Sequence, residues 1–141
     1  MNWRLISILS LLAIALAVAS ILGFVRSHEW LMWLLVGAFC GWQFAGRVND
    51  DFFLHGFYLG ILDGILNSTI KAIFFDSYLA HNPRMVEEFK SLPQDLSPQI
   101  VLVIMGPIIG AFSGVAFGVL AVLASKVRRR QTPDSQKSIP S

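Results

Sequence analysis

Four long apolar stretches, separated by short polar runs, set the pattern of this chain: residues 5–25, 30–46, 52–75 and 100–125. The first has 21 residues without a charge, which as a helix is about 32 Å against a hydrocarbon core of about 30 Å. The second, Trp30 to Gly46, has Trp30 and Trp33 near one end and Trp42 near the other, a placement that suits two membrane interfaces. The third, Phe52 to Phe75, follows Asn49, Asp50 and Asp51, which are expected to cap it and to place negative charge at its positive end. The fourth, Ile100 to Ser125, starts from Ser97-Pro98 and contains Pro107, which leaves the Val103 carbonyl without its usual donor, so a kink is expected there. The pattern thus predicts an all-α membrane protein of four transmembrane helices, the first two paired as an antiparallel hairpin across a short connection.

From Asp76 to Gln99 the chain is polar and punctuated by Pro83, Pro93 and Pro98. Asn82-Pro83 reads as a cap with a first-turn proline, and Met85, Val86, Phe89 and Leu92 then share a face, which predicts a short interfacial helix in the third connection. The leading stretch has a rival reading as a signal peptide, with Arg4, an apolar run Leu5 to Leu16, and Ala17-Val18-Ala19 as the cut. The apolar run continues through Ile21, Leu22 and Phe24, which favours a retained helix.

Glycine spacing adds a packing prediction. Gly106, Gly110, Gly114 and Gly118 recur every fourth residue, as do Gly56, Gly60 and Gly64, and Gly37, Gly41 and Ala45 form a third such row. Residues four apart share a helix face, so each row is a bare groove where a neighbouring backbone can approach closely. An interior glycine costs about 1 kcal/mol relative to alanine, so close helix packing must supply the return. Grooves on successive helices favour contact within one chain over contact between copies.

Composition agrees with a membrane setting: 55 % of residues are hydrophobic and 14 % charged, and the mean hydropathy is +0.62. The net charge of +2 comes from a basic tail, and no basic face exists on which to bind nucleic acid. With four spans, Arg4, Arg47, Lys126, Arg128, Arg129, Arg130 and Lys137 fall on one side and Arg26, Arg84 and Lys90 on the other, which places both termini in the cytoplasm. The domain is then residues 1–127, followed by a basic, disordered cytoplasmic tail over 128–141. The single cysteine, Cys40, cannot form an intrachain disulfide or a thiolate metal site.

The position with most chemical content is Asp63, at the middle of the third stretch, where an aspartate costs about 2.5 to 3.5 kcal/mol on insertion scales. Asp63, Asn67 and Lys71 follow at four-residue spacing beside Gly60, Gly64 and Ser68, so the polar groups turn into the bundle with the glycines. Depth matching in an antiparallel pair sets Asp63 near Phe112 and Ser113, with Gln43 at a similar level, making Ser113 and Gln43 its expected partners. Asp63 reads either as a titrating or ion-coordinating carboxylate in a polar pathway, or as a protonated or hydrogen-bonded aspartate that fixes helix register. Lys71 is expected to snorkel to the interface, and His55 to sit at the inner boundary as an amphipathic residue. Pro107 beside Gly106 reads as a packing kink rather than an ion-binding break. Asn67-Ser68-Thr69 matches a glycosylation sequon but lies inside a membrane helix. Arg128 to Arg130 read as a topology anchor or a contact to anionic lipid.

No catalytic constellation, phosphate loop or metal-spaced cluster is present in the sequence, so neither enzymatic activity nor a cofactor or metal is expected. The opening Asn2-Trp3-Arg4, the first apolar helix and the glycine-ridged segments (Gly37, Gly41, Gly46; Gly56, Gly60, Gly64; Gly106, Gly110, Gly114, Gly118) together resemble small integral-membrane protein families of unknown function, chiefly archaeal with bacterial relatives. That resemblance, over residues 2–125, implies a four-helix membrane architecture and no site. Two functions follow: a structural or accessory component of the lipid bilayer, assembling with itself or a membrane-protein partner, or an oligomeric channel or transporter subunit using Asp63 and Asn67.

Overall fold

The computed structural model describes residues 1–25, 28–93 and 95–131. Seven helices follow one another: α1 (Trp3–Leu9), α2 (Leu11–Ile21), α3 (Glu29–Arg47), α4 (Phe52–Ile73), α5 (Phe75–His81), α6 (Pro83–Lys90) and α7 (Pro98–Gln131). Among the described residues there is no strand. Arg26 and Lys137, counted in the charge comparison, and the tail from 132 onward lie outside the described residues.

Local chemistry sets the helix ends. The Asn2 side chain accepts the Leu5 N–H at 3.1 Å and opens α1. The Ser10 hydroxyl, donating to the Ser7 carbonyl at 2.9 Å, marks a one-residue turn before α2. The first apolar helix stops at Ile21, short of the expected Val25. Gly23 takes φ +77 there, its N–H reaches the Ser20 carbonyl at 3.1 Å, and the Phe24 N–H reaches the Ala19 carbonyl at 2.9 Å. That is a Schellman stop, open to glycine because the left-handed region penalises a Cβ. Asp51 is the N-cap residue of α4 at φ 52, but its side chain makes no capping bond, contrary to the expected carboxylate cap. At Phe74 the chain turns, and α5 leaves α4 at 91°. Asn82-Pro83 starts α6 as the sequence indicates; Met85, Val86, Phe89 and Leu92 are all half-buried, with Phe89 against Phe75 at 5.4 Å. The last helix runs unbroken through Pro107 for 34 residues.

Among the described residues two helices are long and apolar enough to cross a membrane: Trp3–Ile21, taken across Ser10, and Pro98–Arg130. The bent pair α4 and α5 makes a third if it is one span. Four were expected. The 19-residue α3 falls outside this measure because Glu29, Gln43, Arg47 and its glycines and tryptophans dilute its aliphatic content.

The main interface is α4 against α7, antiparallel. A Cβ added at Gly60 would fall on the backbone of Gly114, one at Gly56 would meet the Gly118 nitrogen at 2.5 Å, and one at Gly64 the Gly110 Cα at 2.5 Å. On another side of α7, a Cβ at Gly41 of α3 would meet the Ala121 nitrogen at 3.0 Å, and one at Gly37 the Phe117 ring at 2.5 Å. The long helix is thus held between α3 and α4. The expected hairpin of the first two apolar segments is a minor contact, since α2 lies chiefly on α4. Leu5, Ile6, Leu9, Cys40, Phe44, Leu59, Phe117 and Ala121 form the core where α1, α3, α4 and α7 converge.

Candidate functional site

One column of α4 carries the polar chemistry: His55, Leu59, Asp63, Asn67 and Lys71 are spaced by four, beside the glycine column that faces α7. Its two ends are satisfied. At the first, His55 is 1 % exposed; its Nδ1 lies 2.9 Å from the Asp51 carbonyl, and its Nε2 accepts the Asn2 N–H at 2.9 Å. One tautomer meets both contacts, with the proton on Nδ1. The residue expected as a loose interfacial histidine is instead the buried tie between the amino terminus and α4, its ring 5.4 Å from that of Phe44.

At the other end, Lys71 does not snorkel. Its ammonium lies 2.6 Å from the Glu29 carboxylate, with side chains 7 % and 25 % exposed. Glu29 also accepts the Ser20 hydroxyl at 3.1 Å and lies 3.5 Å from the Trp33 indole nitrogen. The ammonium sits 5.1 Å from the centre of the Tyr78 ring. Asn82 ties the assembly, donating to the Ser20 carbonyl at 3.0 Å and to the Tyr78 carbonyl at 2.9 Å. The perpendicular exit of α5 brings Tyr78 over Lys71, which makes burial of the ammonium preferable to extension toward water.

Between these ends the column is unsatisfied. Asp63 is 0 % exposed, and both of its carboxylate oxygens and the Asn67 Oδ1 are buried without a hydrogen-bond partner. The expected bonds from Ser113 and Gln43 to Asp63 are not formed. Gln43 is half-buried on α3. Ser113 lines a cleft of about 630 Å³ together with Asn67, Ser68, Gly64, Lys71, Glu29 and Trp33. Phe112, matched in depth to Asp63, points away from the bundle at 77 % exposure. Cys40 of α3 is also buried. Each orphaned buried acceptor costs about 1 to 3 kcal/mol, more when charged.

The cleft also takes in Glu29 and Lys71 and is walled by Leu34, Leu102, Met105, Ile109, Ala116 and Phe117, whereas Asp63 does not line it. Toward His55 the column is closed by Leu59 and Phe44, both fully buried. The structure therefore joins Asn67 and Ser113 at one cleft, leaves Gln43 apart, and adds Glu29, Ser20 and Trp33, which the sequence reading missed. The only signal for Glu29 was an acid adjoining the Trp30 edge of an apolar stretch. Among the described residues no group of three or more His, Cys, Asp or Glu side chains is placed to hold a metal ion. No protein-family model, curated protein or solved structure matches the chain.

Proposed function

We propose that this chain is a small multi-pass membrane protein without catalytic activity, in which α1–α2, α3, α4 and α7 cross the bilayer, and that it serves as a structural or accessory membrane component. The observation that carries this reading is the α4–α7 contact, where glycine backbones meet glycine backbones and leave Ile104, Ile108, Phe112, Val115, Val119 and Leu123 exposed on α7. In water such a surface is an aggregation liability; in a bilayer it meets acyl chains or a partner's helix. Close glycine contact is also how helices associate where lipid removes the hydrophobic drive. The α3 helix, about 28 Å long, has tryptophans at both ends and packs on α7 through Gly37 and Gly41, which supports its place as the fourth span. Lysine and arginine asymmetry supports cytoplasmic termini. The test is alkaline extraction of membranes from expressing cells followed by reconstitution. Retention in the pellet, with no solute flux through liposomes, supports the reading, and release by alkali removes it.

A second reading is favoured by one observation, the partnerless oxygens of Asp63 and Asn67, of which Asn67 lines a cleft. On this reading the chain is a subunit of a channel or transporter, and copies assemble to complete the pathway. Proteoliposome flux that is lost in Asp63→Asn supports it; flux equal in both proteins, or absent from both, removes it.

A further inference from the structure

We infer that Asp63 and Asn67 form a binding site for a small inorganic monovalent cation of the Na⁺ type, reached from the cleft that Asn67 lines. The inference rests on the second reading above and names the species that its site takes. Three buried oxygens, both from Asp63 and the Oδ1 of Asn67, lie one helical turn apart with no donor among them. With Asp63 in its carboxylate form these oxygens are acceptors only, a set matched by a cation and mismatched by an anion or a further acceptor.

Three donors on the same helix, those of Lys71, His55 and Ser68, are already engaged. Lys71 is held by Glu29 at 2.6 Å and faces the Tyr78 ring. His55, two turns the other way, uses both ring nitrogens on Asp51 and Asn2. Ser68 turns its hydroxyl back to the Gly64 carbonyl. From α7, Ser113 lines the cleft with Asn67, and its hydroxyl oxygen adds a hard ligand there.

Ligand type and charge narrow the class. Carboxylate, amide and hydroxyl oxygens select hard cations over soft ones. Glu29 and Lys71 pair with each other, so an ionised Asp63 would add one negative charge to the site, which a monovalent ion would neutralise and a divalent ion would overshoot in a low-dielectric interior.

The experiment is equilibrium binding of radiolabelled Na⁺ to the purified full chain in detergent, with choline chloride holding ionic strength constant. The expected result is saturable binding that choline does not displace, that Asp63→Asn abolishes, and that Asn67→Ala weakens by about tenfold. Absence of saturable binding to the folded wild-type chain overturns the site, as does unchanged affinity in a folded Asp63→Asn protein. If Asp63→Asn does not fold, Asn67→Ala decides: weakened binding upholds the site and unchanged affinity overturns it. Liposome flux measured on the same proteins separates this inference from the transport reading. Na⁺ binding without flux keeps the site and removes transport, whereas flux that needs Asp63 without Na⁺ binding removes the site and keeps transport.

Discussion

The ammonium of Lys71 lies 2.6 Å from the carboxylate of Glu29, forty-two residues earlier in the chain. This pair joins the last turn of α4 to the first turn of α3 and, through Ser20 and Asn82, to the end of α2 and the start of α6.

Removing one partner therefore strands a charge. Lys71→Met is expected to destabilise the protein by about 2 kcal/mol, below the 3 to 5 kcal/mol of a fully enclosed pair because Glu29 is a quarter exposed. Glu29→Gln added to it should restore at least half of the loss. Reversible unfolding in mixed micelles reads both, and a double variant no more stable than Lys71→Met refutes the pairing.

The glycines are not equivalent. Gly60→Ala drives a methyl into the Gly114 backbone and Gly114→Ala into the Phe57 carbonyl, so each is expected to lose about 2 to 3 kcal/mol as the helices separate. Gly46→Ala meets only the end of the Arg128 side chain, which can move, and is expected to gain up to about 1 kcal/mol from helix propensity. Thermal unfolding in detergent should rank them in that order; equal effects would mean that α4 and α7 do not touch as described.

His55→Leu removes the acceptor of the Asn2 N–H and the donor to Asp51. The expected loss is about 1 to 2 kcal/mol, with faster hydrogen exchange at Leu5 and Ile6 in the first turns of α1. Unaltered protection of those amides would show that the amino terminus is held by something else.

Sidedness follows from the proposed four spans. A cysteine placed at Ser91 should react with a membrane-impermeant maleimide from outside intact cells, and one placed at Asn49 only after lysis, in a Cys40→Ser background. The reverse pattern inverts the orientation, and labelling of both sites in intact cells excludes the four-span arrangement.

Periodicity along the chain was enough for an all-helical protein, for the helix starts at Asn82-Pro83 and Ser97-Pro98, and for three bare glycine rows, because each is a matter of neighbours three or four residues apart. The stop at Gly23 and the helix Phe75–His81 escaped it: a glycine in an apolar run does not announce its φ, and a short amphipathic turn gives little period to read. Which rows meet, and in what register, is a long-range matter. So is the union of Lys71 with Glu29, since nothing in local spacing distinguishes that pairing from an ammonium reaching for water. Asp63 could be placed near mid-helix from its position alone, but that neither Ser113 nor Gln43 reaches it depends on side chains from three helices arriving together. Helical propensity and hydropathy are properties of a segment, whereas satisfaction of a buried acceptor is a property of the whole packed bundle.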